Sequence, residues 1–259
     1  MIPTLEVRRY VTPLREGGSL PAIVEADDGR MYVCKFAGAG QGPKALIAEL
    51  LAGEIGRALG LPVPELALLR LDPAIGRNEG DPEIRDLLRA SAGLNLGMAY
   101  LSRSFAFSPR VYPVSDPLAS EIVWFDAYIS NVDRTARNVN ILVSEGQLWL
   151  IDHGAALYFH HSWEGYLDRS ASPFPYIRDH VLLSQAADLW SADARLKPRL
   201  SSALLREIVG QVPEEWLGEE PSFASREEHR GAYLAYLQRR LEASEVFVRE
   251  AVDARAKRL

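Results

Sequence analysis

Three oxygen-bearing side chains stand near the middle of the chain at a spacing that suits divalent-metal and phosphate chemistry. Asp133 is followed five residues later by Asn138, within the run Asn131-Val132-Asp133-Arg134-Thr135-Ala136-Arg137-Asn138. Apolar Ile141-Leu142-Val143 comes next, then Ser144-Glu145-Gly146, then Leu150-Ile151-Asp152-His153-Gly154. Two short strands joined by that tight turn would return Asp152 to the loop holding Asp133 and Asn138. Mg²⁺ is a hard cation that takes oxygen ligands and usually holds substrate phosphates as well. Phosphoryl transfer rests mostly on positioning and charge neutralisation. On that reading Asp133 accepts or orients the proton of an attacking hydroxyl, while Asn138 and Asp152 hold metal. Asp and Asn also cap ordinary turns. The third oxygen, delivered by an apolar strand just before a Gly, is what favours phosphoryl transfer over a surface hairpin.

Such a site needs elements that bind a nucleotide, and the preceding sequence supplies them in order. Leu5 to Thr12 alternates as a strand, Arg15-Glu16-Gly17-Gly18-Ser19-Leu20-Pro21 is a turn, and a second strand spans Ala22 to Ala26. Asp27-Asp28-Gly29 signals a hairpin. The third strand, Arg30 to Phe36, carries Lys35 at the position where a kinase keeps its α/β-phosphate ligand; judged alone, a solvent-facing lysine on an alternating strand is the commoner reading, so the assignment depends on its context. Gly17, Gly18 and Ser19 form the candidate phosphate-covering loop, because small residues let backbone N–H groups approach phosphate oxygens. The second glycine cluster, Gly38-Ala39-Gly40-Gln41-Gly42-Pro43-Lys44, fails as a P-loop. Pro43 stands where its second Gly is needed, and Ala45 stands where Ser or Thr would bind metal.

A helix is expected from Lys44 to Leu59, ended by Gly60, with Ile47, Leu50, Leu51, Ile55 and Ala58 as its apolar stripe. Two glutamates on it are candidates to pair with Lys35. Glu54 lies inside the stripe, whereas Glu49 lies on the small-residue side with Ala45, Ala52 and Gly53; periodicity therefore leans to Glu54. A strand over Glu65 to Leu71 follows, then a helix opened by Asp81-Pro82, then the apolar strand Leu94 to Leu101. Backbone groups of Met98, Ala99, Tyr100 and Leu101 would contact adenine at the end of that strand. Beyond the hairpin, helical periodicity covers Phe174–Ser191, Leu196–Val212 and Ser225–Ala256. The last stretch has the Arg/Glu spacing of a solvated face. His153, His160 and His161 have neither Cys partners nor a His-x3-His pair, so zinc ligation is not expected.

These residues resemble the HipA-like kinase family, within the wider protein-kinase-like fold. The resemblance runs from the Arg15–Pro21 turn through Lys35-Phe36 and Ala58-Leu59-Gly60-Leu61-Pro62-Val63-Pro64, then through Asn131–Arg134 with Asn138, to Ile151-Asp152-His153-Gly154. It implies an α+β, two-lobed fold: an N-lobe over 1–101, a small antiparallel sheet with one helix, and a mainly helical C-lobe over 102–259. It also implies ATP binding by Lys35, Mg²⁺ on Asn138 and Asp152, and Asp133 as catalytic base. Family spacing before Leu59-Gly60-Leu61-Pro62 points to Glu49, against the periodicity argument. The implied activity is ATP-dependent transfer to a hydroxyl acceptor, most readily a protein Ser or Thr, including the chain itself. Small-molecule or lipid hydroxyls use the same framework, and a nucleotide-binding pseudokinase scaffold would share it without transfer. The chain departs from the pattern at His153, where protein kinases have Phe, and has no His-Arg-Asp triplet. Toxin members carry an extra N-terminal subdomain. Only one strand's length precedes the first turn here, which speaks against an antitoxin-like partner.

Composition sets the remaining bounds. A chain of 259 residues, 47% hydrophobic and 25% charged, fits a globular protein with a sizeable core. One cysteine excludes an internal disulfide and, with no signal-peptide pattern, fits the cytoplasm. A formal charge of −6 argues against a general nucleic-acid surface. No apolar run is long enough to span a membrane.

Overall fold

The computed structural model describes residues 1–14 and 20–258 of the protein. Gly17, Gly18 and Ser19, the candidate phosphate-covering loop, lie outside the described residues. Strand β1 (Thr4–Pro13) is long enough to pair at both ends. Its Val7–Pro13 half runs antiparallel to β2 (Ala22–Ala26), with register shifts after Val7 and Tyr10 that bend it. β2 continues antiparallel into β3 (Met31–Lys35). Helix α1 (Gly42–Ala58), strand β4 (Leu66–Leu71), helix α2 (Pro82–Ala90) and strand β5 (Gly93–Ala99) follow. β5 inserts between β3 and β4, and β4 returns parallel to the Thr4–Glu6 end of β1.

The five strands therefore close into a barrel, β1-β2-β3-β5-β4. This corrects the expectation of a small antiparallel sheet: one pairing is parallel, and no strand is left at an edge. Alternation fills the barrel with Val7, Val24, Tyr32, Cys34, Ala67, Leu69 and Leu71, and Ile84 and Leu88 of α2 pack onto that core. This part of the chain thus uses a second helix beside α1.

α1 begins with Pro43 in its first turn. It ends in a Schellman motif, with Gly60 at φ +81°, Gly60 N–H donating to Arg57 O (3.0 Å) and Leu61 N–H to Gly56 O (2.9 Å). Leu46 to Gly53 are buried without a break, so α1 is a helix enclosed on most sides. It packs into the larger core with helix α3 (Asp116–Tyr128), which follows the short strand β6 (Phe105–Ala106). β7 (Ile141–Ser144) and β8 (Gln147–Leu150) form a hairpin, and β6 adds to β7. Positive φ at Glu145 and Gly146 makes its turn type I′.

The remainder is helical: α4 (Tyr166–Ser170), α5 (Leu189–Leu196), α6 (Ser202–Gly210), α7 (Glu214–Leu217), α8 (Arg226–Glu242) and α9 (Ser244–Ala256). Two expectations are corrected. Phe174–Ser191 is two 3₁₀ turns and only the start of α5, because His180 adopts an extended conformation to bridge Thr135. Ser225–Ala256 is two helices meeting at Ala243, and its Arg-rich surface has a buried side. Arg240 lies fully inside, donating to Ala127 O (2.6 Å), Tyr128 O (2.7 Å) and Ser170 O (3.1 Å). It thereby satisfies carbonyls at the C-terminal end of α3. Among the described residues no helix is long and apolar enough to cross a membrane.

The approach of α1 to α3 is set by Gly56. A Cβ there would lie 2.9 Å from Val63 Cγ2 and 3.2 Å from Phe125 Cζ. Gly56→Leu is expected to lower stability by about 1–3 kcal/mol through overpacking, despite improved helix propensity. Thermal denaturation of the variant checks this.

Candidate active site

A buried carboxylate organises the region around the Asp133–Asn138 loop. Asp126, fully buried near the end of α3, accepts from Arg134 Nε (2.6 Å) and Asn131 Nδ2 (2.9 Å). His180 Nδ1 accepts from Leu182 N–H (3.1 Å), so its proton sits on Nε2, which donates to Asp126 Oδ2 (2.9 Å). Burial by itself would raise the Asp126 carboxyl. The Arg134 guanidinium and the His180 ring outweigh it and hold the group well below the usual carboxylate range. His180 is lowered, chiefly by burial, which favours its neutral ring.

This network reaches the candidate site by two routes. Asn131 Oδ1 accepts from the Asp133 amide (3.1 Å), fixing that residue's backbone. Arg134 Nη1 donates to the carbonyls of Asn140 and Ile151, the residues flanking β7 and Asp152. One guanidinium therefore ties the loop to the end of the hairpin.

Asp133 and Asn138 meet within that loop: Asn138 Nδ2 donates to Asp133 Oδ2 at 2.6 Å, with Asn140 Nδ2 nearby at 3.4 Å. Burial raises the Asp133 carboxyl; hydrogen bonds from Asn140 and Asn138 oppose this, and the Asp152 charge adds to it. Ser130, Asn140, Asp152 and Leu157 all hold left-handed φ between 49° and 55°. Such backbone costs roughly 1–2 kcal/mol per non-glycine residue and clusters where surrounding contacts dictate it.

Lys35 projects from the end of β3 between two carboxylates. Its Nζ lies 2.7 Å from Glu49 Oε2 and 2.5 Å from Asp152 Oδ1. Burial would lower the ammonium, but the charges of Glu49 and Asp152 win and push it up to about 12. Glu49 is 1% exposed and, against the desolvation that would raise it, is held well below the usual carboxylate range by Lys35.

The partner of Lys35 is therefore Glu49. The periodicity argument for Glu54 is corrected: that side chain pairs with Arg57 one turn on (3.3 Å). The opposite end of α1 is fastened by Lys44, which donates to His160 O (2.8 Å) and Glu220 Oε2 (3.1 Å). Of the expected adenine contacts, Met98 and Ala99 lie within β5. The amides of Ala99 and Tyr100 are already used by Glu65 O (2.8 Å) and Met31 O (3.0 Å). Leu101 lies past the last rung of the ladder.

Three contributors were not legible as site residues: Asp126, His180 and Asn140. Asp126 carried a signal, since an acid amid Val123, Trp124, Phe125, Ala127 and Tyr128 must find a buried partner. His180 and Asn140 carried none.

A family model described as HipA-like kinase matches residues 7–247. The chain belongs to the HipA-like kinase family. Among solved structures, this HipA-like kinase is similar to a Helicobacter pylori proinflammatory kinase, CtkA, with TM-score 0.60 and 15% identity over 97% of this chain and 99% of that one. It is also similar to a Golgi casein kinase with Mn/ADP bound, with TM-score 0.52 and 12% identity over 98% of this chain and 74% of that one. A further Golgi casein kinase structure matches with TM-score 0.51 and 12% identity, over 96% of this chain and 72% of that one. At these identities the likeness is one of fold. No match was found among curated proteins.

Asp126→Asn is expected to cost about 3–5 kcal/mol, as removal of one partner leaves Arg134 buried and uncompensated. Both Asp126 and His180 are lowered on folding. The stability they contribute is present above their unfolded values, near 3.9 and 6.5, and is lost as pH falls below them. Urea denaturation across pH 3–7 should show a steeper acid loss for wild type than for Asp126→Asn.

Proposed function

We propose that the protein is an ATP- and Mg²⁺-dependent kinase that transfers the γ-phosphate to a hydroxyl acceptor, a protein Ser or Thr. The observation that carries this reading is the Lys35 ammonium held between Glu49 and Asp152. It places a cation from β3 beside a carboxylate from the hairpin that also bears on Asp133. The family, and a solved neighbour described as a casein kinase with Mn/ADP bound, support nucleotide and divalent-metal use and a protein acceptor.

The donor set fits the metal. Asp152 keeps its carboxylate 48% exposed, and Asn138 is exposed beside Asp133, so both offer oxygen to a hard cation. Among the described residues no group of three or more His, Cys, Asp or Glu could hold a metal alone. That suits Mg²⁺, which is bound by one or two side chains together with phosphate oxygens. When bound, Mg²⁺ neutralises phosphate charge.

The remaining work belongs to the chain. Lys35, held by Glu49, positions phosphate oxygens. Asp133, raised by burial yet hydrogen-bonded by Asn138 and Asn140, takes the proton of the acceptor hydroxyl. The hydroxyl oxygen bonds to Pγ, the bond from Pγ to the bridging oxygen breaks, and ADP carries away that electron pair.

Transfer of labelled γ-phosphate from Mg-ATP to the chain itself, to proteins and to small molecules tests the reading. Asp133→Asn should still bind nucleotide but lose transfer by about 10²–10⁴-fold. Asp152→Ala should lose Mg²⁺-dependent nucleotide binding. Glu49→Gln should depress transfer, whereas Glu54→Gln should leave it near wild type. Label on small molecules alone would move the acceptor to that class. Wild-type turnover by Asp133→Asn would remove it as the base.

A further inference from the structure

The residue after Asp152 is a histidine whose ring is completely buried. Its Nδ1 lies 3.7 Å from Glu49 Oε1, the carboxylate oxygen that Lys35 does not hold. Among the described residues, neither His153 ring nitrogen nor Glu49 Oε1 has a hydrogen-bond partner. Unpaired buried polar atoms are rare and call for an explanation. Here two of them face each other just beyond hydrogen-bond length, and a small rotation of the ring or the carboxylate joins them. Phe125 of α3 stands edge-on to the imidazole, with centroids 5.7 Å apart at 73°, which restricts the ring from its other side. Gly154 lies against the same carboxylate: a Cβ there would meet Glu49 Oε2 at an ordinary contact distance of 3.5 Å.

We infer that His153 is a positioning residue for Glu49, donating from Nδ1 to Oε1 and so fixing the carboxylate that orients Lys35. The inference rests on the kinase reading of Lys35. Glu49, held ionised by Lys35, offers only acceptors, so the donor has to be the histidine N–H. Glu49 then serves two donors, one on each oxygen, and its side chain is fixed in rotation as well as in place. An apolar ring at this position would fill the space and leave Oε1 unpaired beside a buried aromatic wall. Hydrogen bonds to charged groups are the stronger kind, and leaving one partner buried and unmet is costly. The ring therefore does chemistry-directed work that its burial alone would hide.

Two measurements test this. The first is ring ¹⁵N spectroscopy on histidine-labelled protein, comparing wild type with Glu49→Gln. A protonated Nδ1 at His153 that shifts in Glu49→Gln is expected; a lone Nε2–H tautomer insensitive to Glu49 would overturn the contact. The second compares His153→Phe with His153→Asn, whose Nδ2 stands in for Nδ1. Phosphate-transfer kcat should fall about tenfold in His153→Phe, with a thermal midpoint lowered by the unmet Glu49 Oε1, and His153→Asn should recover kcat to within about twofold of wild type. A fully active His153→Phe beside an impaired His153→Asn would show that the site wants only an apolar ring, and the inference falls. The spectroscopic arm needs no turnover. Its expected outcome in a wild type that transfers no phosphate upholds the contact and counts against the kinase reading alone.

Discussion

Asp126 is the constraint from which the loop holding Asp133 and Asn138 is built. Taking a carboxylate wholly out of water costs several kcal/mol unless it is paired and hydrogen-bonded, and Asp126 is met by Arg134, Asn131 and His180 together. Each of those partners is committed elsewhere as well. Arg134 spans to the backbone beside β7 and β8, Asn131 to the Asp133 amide, and His180 to the segment bridging Thr135. A single charge inside the core thus fixes the relative positions of a helix end, a loop, a hairpin and a distant turn.

The second organising contact is made from the other side. Lys35 leaves the barrel at the end of β3, Glu49 comes from the middle of an enclosed helix, and Asp152 comes from the end of the hairpin. Three elements distant along the chain therefore converge on one ammonium. Their separation along the chain is large, so the contact depends on both cores being packed: the barrel interior and the larger cluster around α1 and α3.

How much of this was legible in the sequence depended on how local the determinant was. Asp133, Asn138 and Asp152 lie within one loop and one hairpin, and spacing alone brought them together on paper. The choice between Glu49 and Glu54 was beyond periodicity because an amphipathic stripe identifies an inward face only when the other face is wet. α1 buries Ala48, Ala52 and Gly53 as well as its leucines, so its small-residue side is interior too. Resemblance to a family supplied the answer that the pattern could not. Phe174–Ser191 misled for a related reason: its apolar residues are buried through long-range contacts, at a spacing that imitates a helix. The parallel pairing of β1 with β4 has no local signature, since nothing near Thr4 in the sequence specifies Leu68.

That parallel pairing has a consequence in time. β1 is made before the other barrel strands, yet the partners of its Thr4–Glu6 end belong to β4, beyond two strands and an enclosed helix. At ordinary rates of synthesis the wait is on the order of several seconds, during which the Thr4–Glu6 backbone has no strand to close against. Pairings of such long reach are the slow steps of folding. The barrel that carries Lys35 would therefore be sealed late, by its oldest strand.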